Sequence, residues 1–474
     1  MVFSSSIFLF AFLPILFSAY LIIDRKFKNV LLLLASIFFY SWGAPLFIFV
    51  ILGTTTLDFF LVRKMYFTTK ESRRKLFLIL SLFLNVGLLF YFKYSNFFIE
   101  NINFFLGSLG ITEISWTKLV LPIGISFYTF ETLTYVIDVY RRIHPPLTKF
   151  WDYQLYIILF PKLIAGPIIR YHQISDQISD REVNETSDNR INGFFRFVIG
   201  LSKKILIANV LGEFADNAYA MDVQQLNSST AWMMSICYSF QIYFDFSGYS
   251  DMAIGLALMF GFKFPENFSN PYIATSITDF WRRWHISLGT WMRNYLYIPL
   301  GGNRVDSTSR LYFNLWIVFL LSGLWHGASW TFIVWGAYHG LFLILERIFL
   351  LKVYDKIGRI PSILLTFLLV NIGWVFFKSE SLSAAFYIVS KLFSFDFGSL
   401  ALHMDNRMEI VLILGFFFSF IWVFKFIEKW QYHFIESTST TSILSKVIVS
   451  ILFFVLCSAY IVASDFNPFI YFRF

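Results

Sequence analysis

The sequence predicts an all-α protein that crosses a membrane many times. The chain has 474 residues, of which 57% are hydrophobic and only 14% are charged. Soluble domains carry about 25% charged residues, so this composition indicates a chain that lies mostly in lipid. Apolar runs of membrane-spanning length alternate with short basic segments. We predict a single domain, residues 1–474. It should contain about eleven transmembrane helices, with re-entrant and interfacial half-helices around a central cavity.

Basic residues predict which loops face the cytoplasm. The first apolar run, residues 7–23, has no basic residue before it, which favours an uncleaved helix with its N-terminus outside. Predicted helices at 29–41 and 46–62 lie between two basic segments, 25–28 and 63–75. Positive charge is retained on the cytoplasmic side, so both basic segments should be cytoplasmic.

The net charge and the cysteines indicate no other class of protein. The formal charge of +8 is compatible with nucleic-acid binding, but basic cytoplasmic loops explain it better. Cys237 and Cys457 lie in apolar runs and belong to no Cys/His motif, so we predict no metal site.

Two pairs of carboxylates in apolar segments allow more than one interpretation. Glu131 and Asp138 lie on one face of a predicted helix, an arrangement compatible with acid–base work, although we favour a structural role. Asp245 and Asp251 flank Gly248, where we expect the helix to break. These two could hold a coupling cation in a transporter, but we again favour a structural role.

Three consecutive segments are predicted to differ from simple spanning helices. Residues 153–169 contain two prolines and a lysine, which indicates a re-entrant or interfacial segment. Residues 172–192 are polar and should form a cytoplasmic loop. A helix should follow over 193–219, with Lys203 and Lys204 snorkelling or reaching a cytoplasmic cavity.

The centre of the chain is the stretch FWRRWHISLGTWMRNYLYIPLGGNR, residues 280–304. At about 100° per residue, aromatic and apolar side chains fall on one helical face with His285. Arg282 and Arg293 fall on the opposite face. Ser276 is a candidate N-cap and Asp279 suits a first turn. We therefore predict an amphipathic helix in the membrane interface, with His285 pointing inward.

Two further histidines follow in LWHGASWTFIVWGAYHG, residues 324–340. Trp330 would share the face of His326 if one helix continued through both. His339 would then lie about 220° away from His326 at helical periodicity, so the two could not face one site on a straight helix. Ionisable side chains in such apolar surroundings are functional candidates by default.

These motifs resemble the membrane-bound O-acyltransferase family, and within it the bacterial branch that includes alginate O-acetyltransferases. Further matches are FPKLIAGPIIRY (160–171), QIYFDFSGYSDMAIGLALMFGFKFPENFSNPY (241–272) and the terminal NPFIYFRF (467–474). The family commonly has Asp at position 294 and Gln at position 131, where this chain has Asn294 and Glu131.

The resemblance implies the family's fold and an acyl transfer between a thioester and a hydroxyl. Such a reaction needs a base for the alcohol proton and an acid for the thiolate, and histidine can serve as both. We expect His326 and His285 to be catalytic, and His339 to be structural. Substrate-binding residues are expected to be Trp284, Trp281, Trp325, Trp330 and Asn294.

The resemblance also implies the donor, the partner and the location. The donor should be cytoplasmic acetyl-CoA, with no bound cofactor, and the acceptor an extracytoplasmic, alginate-like polysaccharide. A hydrolase-like protein acting in trans would complete the transfer. The protein should reside in the bacterial inner membrane. Alternatives are D-alanyl transfer or peptidoglycan acylation by the same fold and, outside this class, a non-enzymatic polysaccharide or lipid exporter.

Overall fold

The computed structural model describes residues 1–463 and 466. Within them, the regular secondary structure is entirely helical, which confirms the predicted all-α class. The terminal motif at 467–474 lies outside the described residues. The described chain forms two compact units, one of residues 1–186 and 257–264, and a second of residues 187–256, 265–463 and 466. The assignment of residues 1–474 to one domain remains a prediction.

The first unit begins with long helices and continues with short ones. Its α-helices are α1 (Leu13–Ile22), α2 (Lys28–Ser41), α3 (Phe47–Phe67), α4 (Glu71–Leu89), α5 (Ser95–Ser108), α6 (Ile125–Tyr140), α7 (Phe150–Ile158), α8 (Phe160–Leu163) and α9 (Tyr171–Ser179). Helix α9 lies where we predicted a polar loop, at 172–192, so that prediction was wrong. Its apolar positions Ile174 and Ile178 are four residues apart and both buried, which explains a short amphipathic helix.

The segment predicted to be re-entrant is broken into short helices and buried. Its backbone turns between α7 and α8 and again after Leu163, and every side chain over residues 152–169 is buried. Irregular backbone in a membrane protein is tolerated where protein surrounds it. The segment also supplies Lys162, whose ammonium group pairs with the Glu131 carboxylate of α6. Both side chains are almost completely buried.

The two carboxylates of α6 have separate partners. Glu131 pairs with Lys162, whereas Asp138 accepts a hydrogen bond from Nδ1 of His172 at 2.9 Å. Because each carboxylate is held by its own basic residue, the arrangement favours the structural interpretation over shared acid–base work.

The second unit contains the centre of the sequence. Its α-helices are α10 (Ser187–Ser202), α11 (Asn209–Tyr219), α12 (Ser228–Met259), α13 (Ile277–Arg283), α14 (Ile286–Met292), α15 (Thr308–His326), α16 (Trp330–Leu345), α17 (Leu351–Ile357), α18 (Arg359–Lys378), α19 (Leu382–Leu392), α20 (Asn406–Phe420), α21 (Lys425–Glu436) and α22 (Thr440–Ala463). A π-helical turn, Lys203–Ala208, joins α10 to α11, which confirms a helical run through the predicted segment 193–219.

The predicted break at Gly248 does not occur, because α12 continues through it for 32 residues. Gly248 instead allows close packing against α10. A Cβ at Gly248 would lie 2.6 Å from the carbonyl oxygen of Gly200, and one at Gly200 would lie 2.4 Å from that of Gly248. Small residues let helices approach at backbone distance in membrane proteins.

Ion pairs also join α12 to the helical run before it. Lys204 contacts Asp245 at 2.7 Å with both side chains buried, and Lys203 contacts Asp251 at 2.7 Å. Lys204 therefore does not snorkel or reach a cavity, because its side chain is only 1% exposed, whereas for Lys203, which is 28% exposed, the expectation remains a prediction. Their ammonium groups reach carboxylates one helix away, because an unpaired charge in this interior would be costly.

Five helical segments of the described chain are long and apolar enough to cross a membrane. They are Glu71–Ser108, Trp330–Ile357, Arg359–Lys378, Asn406–Val423 and Thr440–Ala463. The protein is therefore an integral membrane protein, while the count of about eleven spans remains a prediction.

Candidate active site

The predicted amphipathic helix is broken at its centre. Helix α13 ends at Arg283, α14 begins at Ile286, and His285 between them has a left-handed backbone with φ 46°. The side chain of Ser276 accepts the N–H of Asp279 at 3.0 Å, as expected for the N-cap of α13. A non-glycine residue in the left-handed region is uncommon and is typical of functional sites.

A loop residue, Asn267, explains this break. Its backbone oxygen accepts the N–H of Ile286 at 2.9 Å, and its side-chain oxygen accepts that of Ser287 at 3.2 Å. These N–H groups belong to the first residues of α14 and have no acceptor within that helix. Asn267 therefore supplies the acceptors that a continuous helix would have provided. The predicted helix was continuous through His285, because local spacing does not reveal this non-local partner.

The buried and exposed faces predicted for the amphipathic helix are present on both sides of the break. Trp284 and Met292 are buried, while Arg282 and Arg293 are exposed, as predicted. Trp281 is half-buried. The period holds within each short helix, since each presents one apolar face to the protein interior.

His326 is the last residue of α15, and a tight turn follows it. The two helices that flank this turn meet at glycines. A Cβ at Gly323 would lie 2.3 Å from the carbonyl oxygen of Phe332, and one at Gly336 would lie 2.3 Å from that of Phe319. Only glycine permits this approach of α15 to α16.

This turn changes two expectations for the second half of the motif. Trp330 begins α16 and is 52% exposed, so it does not share a helical face with the buried His326. His326 and His339 lie on different helices. The angular separation expected for them on one straight helix therefore does not apply. Both imidazoles instead pack against Trp335, at ring-centroid distances of 5.0 and 5.1 Å.

The three central histidines are linked through indole rings. Trp325 lies 6.1 Å from the ring of His285 and 4.8 Å from that of His326. His339 also meets Trp281 edge to face at 5.0 Å. We call this group the histidine–tryptophan cluster. Its members are His285, Trp325, His326, Trp335, His339 and Trp281.

Of the other predicted site residues, Trp284 lies beside the cluster, and Asn294 lies in the turn after α14. Trp284 is buried and stacks on Phe280 at 5.5 Å, and its ring lies 4.9 Å from Trp374. Trp374 in turn lies 6.0 Å from Trp335, so Trp284 connects to the cluster through one ring. Asn294 is half-buried in the π-helical turn Arg293–Tyr297 that follows α14.

His285 is held in a dry environment. Its ring lies 4.7 Å from that of Phe246, edge to face, and its Nδ1 lies 3.1 Å from the side-chain oxygen of Asn267. Burial lowers the pKa of His285 to about 3, so the imidazole is neutral at physiological pH. Short helices flank this residue, and it lies outside the five long apolar segments.

Sequence reasoning missed two residues of this region. Trp335 stands in the quoted WGAYHG motif, yet periodicity alone assigned it no role. Asn267 stands in PENFSNPY, the end of the motif at 241–272, and no role was assigned to it. Asn267 lies between Glu266 and Phe268 in a polar stretch, so no local signal distinguished it.

The chain is similar to known proteins over most of its length. A sequence model of the membrane-bound O-acyltransferase family matches residues 138–357. The probable alginate O-acetylase AlgI of Pseudomonas aeruginosa is 44% identical over 413 residues, which cover 86% of this chain and 78% of that protein.

Two other relatives carry different names. The peptidoglycan O-acetyltransferase of Helicobacter pylori is 39% identical over 82% of this chain and 79% of its own length. The teichoic acid D-alanyltransferase of Bacillus subtilis is 28% identical over 56% of this chain and 70% of its own length. The relatives named here are all acyltransferases. The chain therefore belongs to the membrane-bound O-acyltransferase family and is an acyltransferase of the membrane.

Proposed function

We propose that this chain takes acetyl from a cytoplasmic thioester, acetyl-CoA, and moves it across the bacterial inner membrane. The acetyl group serves O-acetylation of an extracytoplasmic, alginate-like polysaccharide. Similarity supports this choice, because the probable alginate O-acetylases match at 44% identity over most of both chains. A hydrolase-like protein acting in trans completes the modification.

One observation carries the catalytic part of the proposal. His285 and His326 are both buried and both pack near the ring of Trp325. Two imidazoles beside one indole, in a water-poor interior, can receive and return a proton while reactants stay oriented. We assign His326 as the general base and His285 as a second catalytic group.

The proposed reaction transfers one acyl group and returns one proton. His326 takes the proton of the acceptor hydroxyl as its oxygen attacks the thioester carbonyl carbon. A carbon–oxygen bond forms, and the carbon–sulfur bond of the intermediate then breaks. The imidazolium returns its proton to the leaving thiolate, so His326 ends neutral. Acid–base assistance of this kind contributes roughly 10²–10⁴-fold in rate.

Aromatic residues would form the walls of the substrate site. Trp281, Trp284 and Trp325 are the proposed walls, and Asn294 is a proposed polar contact. Trp330 lies at the exposed start of α16, so its proposed contact requires substrate to pass that surface.

Transfer of a different acyl group by the same fold is the alternative within the family. The relatives named for peptidoglycan O-acetylation and teichoic acid D-alanylation favour it. An exporter driven by ion coupling is less well supported. Glu131 and Asp245, the carboxylates it would use, already pair with Lys162 and Lys204.

A comparison of two acyl donors tests the proposal. The purified chain in proteoliposomes is supplied with labelled acetyl-CoA or with a D-alanyl carrier protein, and acyl ester on alginate, peptidoglycan or teichoic acid is measured with the partner protein present. We expect acetyl ester on the alginate-like polymer and release of one free thiol per ester. Transfer of D-alanine, or polymer movement without thiol release, would contradict the proposal.

A further inference from the structure

Asn267 contacts His285 through the same oxygen that holds the next residue. Its Oδ1 accepts the backbone N–H of Ser287 at 3.2 Å and the Ser287 hydroxyl at 2.9 Å. The same oxygen lies 3.1 Å from Nδ1 of His285. All of these atoms are buried.

The orientation of the Asn267 amide follows from the backbone. A backbone N–H can only donate, so the amide atom that faces Ser287 must be the oxygen rather than the nitrogen. The flipped amide would place an N–H group against an N–H group. The atom beside His285 is therefore an acceptor.

An acceptor beside Nδ1 decides which nitrogen of His285 carries the proton. The imidazole is neutral because it is buried, and a neutral imidazole has one N–H and one lone-pair nitrogen. Nδ1 can bond to Oδ1 only by donating. The Ser287 hydroxyl could instead donate to Nδ1, but that separation is 3.5 Å, against 2.9 Å to the Asn267 oxygen.

We propose that Asn267 is a positioning residue that holds His285 in the Nδ1–H tautomer, so that Nε2 serves as a proton or hydrogen-bond acceptor. The catalytic role of this tautomer rests on the proposed function, to which it adds the protonation of His285. A neutral His285 with a lone pair on Nε2 cannot donate a hydrogen bond from that atom to a thioester carbonyl. It can accept a hydrogen bond from another N–H or O–H group of the bound substrates, while the proton of the reacting hydroxyl goes to His326. Partners that fix a histidine tautomer in this way tune its basicity and orientation.

The loop that carries Asn267 is anchored on both sides. The N–H of Ser269 donates to the carbonyl oxygen of Arg283 at 2.9 Å. On the other side, Glu266 pairs with Arg196 of α10, which also holds Asp251 at 2.8 Å. Asn267 is therefore fixed by contacts that do not depend on His285, as a positioning residue requires.

Nitrogen NMR of the full chain tests the tautomer directly. The protein is labelled with ¹⁵N-histidine and reconstituted in lipid bilayers, and the signals missing from a His285→Gln variant identify His285. We expect a protonated Nδ1 and a lone-pair Nε2. Asn267→Leu removes the acceptor at similar size, and the Nδ1–H form should lose its dominance. Ser287→Ala keeps the backbone N–H and Asn267, so the tautomer should be unchanged.

A conservative variant covers the case in which Asn267→Leu fails to fold. Asn267→Asp retains an acceptor oxygen, and Nδ1 should stay protonated in it. Acetyl transfer should fall by roughly 10- to 100-fold in Asn267→Leu, the range known for hydrogen-bond partners that orient metal-ligating side chains. An Nε2–H tautomer in the wild type would overturn the inference, and so would a dominant Nδ1–H form in a folded Asn267→Leu protein. If the wild type shows the predicted tautomer but the His285→Gln variant retains full transfer, the proposed function is contradicted instead.

Discussion

His326 packs edge to face on Trp335, with ring centroids 5.0 Å apart, although the two residues belong to different helices. Trp335 is fully buried and meets His339 at 5.1 Å, so one indole contacts two imidazoles. Each such aromatic pair contributes about 0.5–1.5 kcal/mol beyond the burial of its area. The position of His326 therefore depends on Trp335 and on the close approach of α15 to α16.

Replacement of Trp335 tests this dependence. Trp335→Ala should lower the free energy of unfolding by about 3–5 kcal/mol, as for other fully buried aromatic residues, and should lower acetyl transfer. Trp335→Phe retains an aromatic ring and should lose less of both. Trp430→Ala is the matched control, because Trp430 is 66% exposed. Thermal unfolding in detergent measures the difference, and equal melting temperatures for Trp335→Ala and Trp430→Ala would argue against the packing described here.

Gly323 should tolerate no side chain. A methyl group there meets the carbonyl oxygen of Phe332, so Gly323→Ala must separate α15 from α16 and move His326. We expect a loss of about 1–3 kcal/mol in stability, the usual effect of overpacking, together with lower transfer. Gly53→Ala is the control, since nothing lies within 4 Å of a Cβ at that helical position. It should be neutral or stabilising by up to about 1 kcal/mol. Similar behaviour of the two variants would disprove the close contact.

The buried pair of Glu131 and Lys162 predicts a non-additive double substitution. Glu131→Gln alone leaves an uncompensated ammonium in the interior of the first unit, which should destabilise the protein by about 3–5 kcal/mol. Lys162→Gln alone should have a comparable effect. The double variant places two neutral amides together and should recover most of the loss. Melting temperatures of the four proteins measure the coupling, and simple addition of the two single effects would show that the pair is not coupled.

The sidedness of the first loops can be checked by cysteine labelling. Lys28 is a poor probe, because it pairs with Glu185 and is only 14% exposed, whereas Lys26 is 71% exposed. Cysteines at Lys26 and Lys70 should resist an impermeant reagent in intact cells. The helical run Glu71–Ser108 is long enough to cross the membrane, so a cysteine at Lys118, beyond that run, should react. Cys237 and Cys457 are buried and give little background. Reaction at Lys26 from outside would reverse the predicted topology.

Local patterns predicted much of this fold. The helix expected at 29–41 is found at Lys28–Ser41, and the faces of Trp284 and Arg282 follow the helical period. Both features depend on residues a few positions apart, and local spacing is what a sequence displays.

Three of the errors share one physical cause, which is a partner distant in sequence. Gly248 was predicted to break its helix, because the sequence does not display its close contact with Gly200 on another helix. The break at His285 depends on Asn267, a residue of a separate loop. The lysine partners of Asp245 and Asp251 are likewise supplied by the preceding helical run. Tertiary contacts of this kind override local preference, and a single sequence does not reveal them.

The central claim is that His326 is the base for acyl transfer. The most direct test measures acetyl ester formed from labelled acetyl-CoA by His326→Ala, with His403→Ala as the matched control, because His403 is exposed and far along the chain. Both variants are first matched for membrane level and melting temperature. We predict that His326→Ala forms no acetyl ester above background while His403→Ala retains wild-type transfer. Wild-type transfer by a well-folded His326→Ala protein would contradict the account.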